Sequence, residues 1–195
     1  MMMQFTLAQA AAELVQTGRR MLAAGLVAGH DGNISVRLNE QEILVTPAGK
    51  SKGELAPADL LLVDLQGRVL SHGPGRPTSE LPMHLRVYQA EPTARAVLHA
   101  HSPYATAFAL AGRTLQSRLP EVTECLGEIP LLPFAEPGTW QLAEGVGQAA
   151  GQGARGAFLA EHGCVVWGDC LSQALYRLEE LELACKIEWL AAFLK

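Results

Sequence analysis

Two histidines stand one residue apart in "AVLHAHSPYA", residues 96–105, at the end of an apolar run and directly before Ser-Pro. Side chains alternate along a β-strand, so His99 and His101 share one face while Ala100 takes the other, a geometry that can chelate a divalent cation. Solvent or neighbouring carbonyls would satisfy the same imidazoles, so the pair alone does not decide. A second stretch, "RPTSELPMH", residues 76–84, puts Glu80 in the first turn of a predicted helix beside Thr78 and Ser79. A capping box needs Ser or Thr three residues before the acid, and Pro77 stands there, which leaves Glu80 as a partner of the helix dipole or as a general acid–base. In a third, "LAEHGCVVWG", His162 precedes a glycine between two apolar strands, where it is either an ordinary turn residue or a ligand aimed inward. Three histidines and one acid make a familiar zinc-enzyme set, with the acid as fourth ligand or nearby base.

Two glycine-containing loops offer anion-binding groups. "HDGNISVR" carries the Asn33 amide and the Ser35 hydroxyl, and "VTPAGKSKGE" carries Thr46, the backbone N–H groups around Gly49, and Lys50 and Lys52. Such loops cradle phosphate through backbone donors and cationic side chains, although the same residues also make plain turns.

The elements that must position these groups follow from periodicity. Leu7, Ala11, Leu14, Val15, Met21 and Leu22 recur at helical spacing, with Gly25 or Gly29 able to end the helix. "NISVRL", "EILVTP", "LLLVDL" and "GRVL" are short and rich in Val, Ile and Leu, which predicts a run of hairpins with a tight turn at Gln66-Gly67. "SELPMHLRVYQAEP" predicts a helix capped by Ser79 and stopped before Pro92, and "ARAVLHA" a strand. Ser102 and Pro103 suit the N-cap and first position of a helix that starts immediately after the histidines. "TWQLAEGVGQAAGQ" predicts a helix beginning near Thr139, "GAFLAEHGCVVWG" a hairpin, and "LSQALYRLEELELACKIEWLAAFL" a long terminal helix with Leu171, Leu175, Leu178 and Cys185 on its packed side. The fold class is therefore α/β or α+β, a largely antiparallel sheet with helices packed on it.

The chain of 195 residues is 49% hydrophobic and 18% charged, the balance of one compact domain spanning 1–195. A net charge of −5 with dispersed lysines and arginines favours neither a nucleic-acid nor a membrane partner. The N-terminal segment, interrupted by Glu13, Arg19 and Arg20, reads as a helix and not as a signal peptide. Cys125, Cys164, Cys170 and Cys185 lack paired spacing and read as buried free thiols, as expected in a cytoplasmic protein. His30, His72 and His84 read as loop or helix-surface residues, with His30 near enough to "GNIS" to touch a substrate; Trp167, Trp189 and Phe193 read as core or subunit contacts.

Taken in order, "GNIS", "TPAG", "TSE", "HAHSPYA" and "EHG" resemble the motifs of the class II aldolase and adducin superfamily, in particular its sugar-phosphate aldolases acting on L-fuculose phosphate. The resemblance spans roughly residue 7 to residue 190 and implies a three-layer α/β/α sandwich. It further implies a Zn2+ or other divalent-metal site of His99, His101 and His162, with Glu80 as acid–base and occasional ligand. Asn33, Gly49, Thr78 and Ser79 would hold the substrate phosphate, with Thr46 and Ala48 in the same loop. The expected partner is a small-molecule sugar phosphate, the expected assembly a homotetramer with active sites between subunits.

The implied reaction is cleavage of a ketose 1-phosphate to dihydroxyacetone phosphate and an aldehyde through an enediolate, with Glu80 moving the proton. Two positions depart from the family pattern. Ala48 replaces a Ser or Thr before the loop glycine, which removes one phosphate contact. "RLPEVTECLGEIPLLPF", residues 118–134, contains no tyrosine where the aldolases use one as proton donor, leaving Glu121 or Glu124 as candidates. Dehydration of methylthioribulose 1-phosphate and 4-epimerisation of a pentulose phosphate use the same parts and stay open. A non-catalytic adducin-like interaction module is the alternative of another class; it would have no need of a complete ligand set.

Overall fold

The computed structural model describes residues 6–71, 75–116 and 119–194. Its elements are α1 (Leu7–Ala23), β1 (Asn33–Arg37), β2 (Glu42–Val45), β3 (Leu61–Asp64), α2 (Leu81–Ala90), β4 (Ala96–Ala100), α3 (Pro103–Leu110), α4 (Pro120–Leu126), β5 (Leu131–Leu132), α5 (Trp140–Gly151), β6 (Gly156–Leu159), β7 (Gly163–Gly168) and α6 (Leu171–Ala191). The strands form one seven-stranded sheet in the order β3-β2-β1-β4-β7-β6-β5, antiparallel throughout except for the parallel pair β5–β6.

Alternation along the strands divides the core in two. Ile34, Val36, Leu98, Phe158 and Val166 face the layer built with α1, α3, α4 and α6. Ile43, Val45, Val63, Val97, Val165 and Trp167 face the layer built with α2 and α5. Helices thus cover both faces of a mostly antiparallel sheet, the three-layer α/β/α arrangement. His99 lies in β4 two residues from Val97, so it emerges on the α2/α5 side.

Local chemistry explains most element ends. Thr6 and Gln9 form a capping box that starts α1. The helix ends at Ala23, two residues before Gly25 turns the chain at φ 70°. Ser102 sits at the N-cap of α3, but its hydroxyl makes no capping bond. The Glu182 carboxylate, reaching over from α6, accepts from the N–H groups of Tyr104 and Ala105 at 2.9 Å each. A negative charge at a helix N-terminus replaces the local cap and ties α3 to α6.

Several sequence expectations are corrected. "GRVL" is not a strand: only Val69 bridges back, to Val63, beyond the turn at Gly67. Glu80, and not Ser79, occupies the N-cap of α2, because the chain turns at Thr78, whose hydroxyl accepts from the Glu80 N–H at 3.3 Å. Cys164 and Cys185 are buried, but Cys125 and Cys170 are only half-buried, Cys170 because it caps α6. Trp167 is a core residue, whereas Trp189 and Phe193 are exposed, not core, and meet edge to face at the C-terminal end of α6. His72 and Arg118 lie outside the described residues. Among the described residues no helix is long and apolar enough to cross a membrane.

Candidate metal centre

β4 ends at Ala100, so His99 is held in the sheet and His101 stands just beyond it, while His162 closes the β6–β7 turn beside them. The three rings gather with centroids 4.7 to 5.1 Å apart, and one nitrogen from each lies within 4.8 Å of the others. Two glycines allow this approach. A Cβ on Gly163 would meet the Ala100 carbonyl oxygen at 2.6 Å and the His101 ring at 2.9 Å. A Cβ on Gly32, already at φ 69°, would meet the His99 carbonyl oxygen at 2.7 Å.

The His99 Nδ1–H donates to the Cys164 carbonyl at 2.9 Å, which leaves Nε2 with a free lone pair. His99 Nε2 stands 3.1 Å from His101 Nε2. Two ligand atoms about 2.0–2.1 Å from a tetrahedral cation lie about 3.3 Å apart, so this spacing suits a shared ion. Burial pushes the His99 imidazole well below its ordinary pKa, reinforced by the neighbouring His162 and His101. Burial also lowers His162 to about 4 and lowers His101, against the pull of Asp31. All three are therefore neutral near pH 7, the form that ligates metal. His162 Nδ1 is buried with no hydrogen-bond partner, an orphan that a cation or ligand would relieve. The donor set and its spacing thus fit a divalent metal.

Around the triad lies a cavity of about 300 Å³ lined by residues from four loops, among them Asn33, Gly49, Thr78, Ser79 and Glu80. The loops are stitched together: the Thr78 N–H donates to the Thr46 carbonyl at 3.1 Å, and the Ala48 N–H to the Arg76 carbonyl at 2.9 Å. Glu80 is buried, burial raises its carboxyl to about 7 against a hydrogen bond from the Gly138 backbone, and Oε2 has no partner. It faces the same cavity as the imidazoles but is not part of their cluster.

Of the residues read from sequence, Thr46 stands apart. Its hydroxyl is fully buried, accepts from the Ile34 N–H at 3.1 Å, and does not line the cavity. Lys50 pairs with Asp59 at 2.6 Å, and Glu121 and Glu124 sit on the exposed side of α4. His84, expected on a helix surface, is fully buried, because α2 turns that side onto β1. Sequence reasoning missed Asp31 and Pro137 as cavity residues; Lys52, read as a loop cation, does line the cavity but is buried. Lys52 Nζ donates to the His30 carbonyl at 3.0 Å and to that of Lys50, and burial lowers its pKa to about 8. Its position in a glycine-flanked loop was the available signal; the burial was not.

A seven-stranded α/β/α scaffold with a histidine triad that could hold a metal ion and a buried carboxyl in the same cleft has the form of an enzyme site. Residues 12–189 match the Class II Aldolase and Adducin N-terminal domain, and the chain belongs to this family. It is 34% identical over 179 residues to 3-oxo-tetronate 4-phosphate decarboxylase of Haemophilus influenzae, covering 89% of this chain and 84% of the relative. It is 32% identical to L-fuculose phosphate aldolase of Methanococcus maripaludis, covering 94% and 98%. The crystal structure of L-fuculose-1-phosphate aldolase from Thermus thermophilus superposes with a TM-score of 0.86 at 30% identity, covering 95% of each chain.

Proposed function

We propose that the protein is a zinc-dependent class II aldolase that cleaves a ketose 1-phosphate to dihydroxyacetone phosphate and an aldehyde. The observation that carries this reading is the cavity itself, in which a neutral imidazole triad and an unpaired, buried carboxyl of pKa about 7 face the same space. His99, His101 and His162 would hold the metal. When bound, the cation supplies positive charge against the enediolate oxygens that carbon–carbon cleavage leaves.

Glu80 acts as acid–base: burial raises its carboxyl above the ordinary carboxylate range, which suits it to deliver and take the proton at the enediolate carbon. The Gly138 hydrogen bond fixes one carboxyl oxygen and leaves Oε2 for that transfer. Asn33, Thr78, Ser79 and the Gly49 loop line the cavity and, in this reading, take the phosphate and so hold the scissile bond in place.

Decarboxylation of a phosphorylated β-keto sugar acid is the second reading, favoured by one observation. Residues 118–134, where the resemblance places the aldolases' tyrosine proton donor, contain no tyrosine. Aldol cleavage needs a group to remove a hydroxyl proton from the departing fragment, whereas loss of CO2 leaves the same enediolate without one. Incubating zinc-loaded protein with ketose 1-phosphates, a 3-oxo-tetronate 4-phosphate and methylthioribulose 1-phosphate separates these chemistries by product. Aldehyde with dihydroxyacetone phosphate supports the first reading and CO2 the second. A dehydrated or epimerised product, or no product from any of them, overturns both.

A further inference from the structure

We propose that His84 is a positioning residue that carries its proton on Nε2, locks the Asn33 amide with its NH2 directed into the cavity, and thereby makes that subsite a receptor for an anionic group. The inference rests on the reading of the cavity as a sugar-phosphate site and deepens it. It starts from a fully buried chain of side chains between α2 and β1: Tyr88 Oη to Ser35 Oγ at 2.8 Å, Ser35 Oγ to His84 Nδ1 at 2.7 Å, and His84 Nε2 to Asn33 Oδ1 at 2.5 Å. Only Asn33, at the cavity end, reaches the open space, and in the sheet it stands directly opposite His99.

The proton order follows from donors and acceptors. Burial lowers the His84 pKa to about 3, so the ring is neutral and has one donor and one acceptor nitrogen. Tyr88 is buried as well, and burial keeps its phenol protonated, so its O–H must find an acceptor. Ser35 Oγ, at hydrogen-bond distance, is that acceptor. Ser35 passes its own proton to His84 Nδ1, and His84 Nε2–H donates to the Asn33 carbonyl oxygen. Every group is satisfied, and the Asn33 NH2 is left for the cavity. Reversing the amide reverses each step and strands the Tyr88 proton in the interior without an acceptor. It would also turn a carbonyl oxygen toward the phosphate, which repels it.

Nitrogen NMR of 15N-histidine-labelled, metal-loaded protein reads the His84 tautomer directly, and calorimetry with inorganic phosphate reads the subsite. The expected results are an Nε2–H tautomer and phosphate binding weakened about tenfold in His84→Phe, the weight of one hydrogen bond to a charged group. His84→Gln, whose amide N–H falls near the Nε2 position, is expected to recover most of the affinity, and the loss in turnover assays is expected in KM and not in kcat. An Nδ1–H tautomer overturns the proposal whatever the variants do, as does a folded His84→Phe with undiminished phosphate affinity. Should His84→Phe fail to fold, the tautomer decides alone. An Nε2–H tautomer in a protein that binds no phosphate supports the Asn33 orientation and counts against the sugar-phosphate reading.

Discussion

Glu80→Gln is expected to make the metal-free protein more stable at pH 8 while leaving it unchanged at pH 4. The Glu80 carboxyl titrates near 4.5 when unfolded and near 7 in the folded chain, raised by burial in a cavity where Oε2 finds no donor. The folded state therefore holds a proton that the unfolded state releases. Stability from this group is fully present below pH 4.5 and is lost as pH rises through 7. A span of about 2.5 pH units at ~1.4 kcal/mol each gives a loss of at most about 3.5 kcal/mol. Gln cannot ionise, retains an acceptor for the Gly138 N–H and escapes that loss. Urea denaturation of both proteins in chelator, from pH 4 to 8, reads the difference, and the histidines titrate in both and cancel. Curves that diverge by 2 to 3 kcal/mol between pH 4.5 and 7 agree with a buried, unpaired carboxyl. Parallel curves refute it, and with it the assignment of Glu80 as an acid–base tuned by desolvation.

Other outcomes follow from the same geometry. Glu80→Gln should keep bound metal by elemental analysis and lose turnover by on the order of a hundredfold or more. His99→Ala should weaken metal binding sharply in chelator competition, and stoichiometric metal at parental affinity would remove the triad from the account. Because burial lowers the imidazole pKa values, the fall in metal affinity on acidification should begin only below the ordinary histidine pKa of about 6.5; a decline that begins at or above it would contradict their burial. Gly163→Ala places a methyl group 2.6 Å from the Ala100 carbonyl oxygen, so it should lower both stability and metal affinity, measured by thermal melts with and without zinc.

The centre was legible where one-dimensional rules operate. Strand alternation put His99 and His101 on one side, Ser102-Pro103 marked the start of α3, and the turn before Gly163 brought His162 into reach. Contacts distant in sequence were not legible. His84 has the helix spacing of a residue that could face solvent or sheet, and only the docking of α2 onto β1 buries it against Ser35 and Asn33. The "TPAG" threonine looked like a cavity donor because nothing local shows that its hydroxyl is taken by Ile34 of the neighbouring strand. Gly138 supplies a backbone bond to Glu80 from a loop 58 positions along the chain, and backbone donors leave no mark on side-chain motifs.

The measurement that reaches the central claim most directly is proton exchange at dihydroxyacetone phosphate in D2O, followed by NMR. Both cleavage readings pass through the same enediolate, and both give Glu80 the proton. Zinc-loaded protein is expected to place a single deuterium at the carbon next to the keto group, and Glu80→Gln is expected to slow that exchange at least a hundredfold. No exchange in the zinc-loaded parent, or equal exchange in Glu80→Gln, would contradict the account.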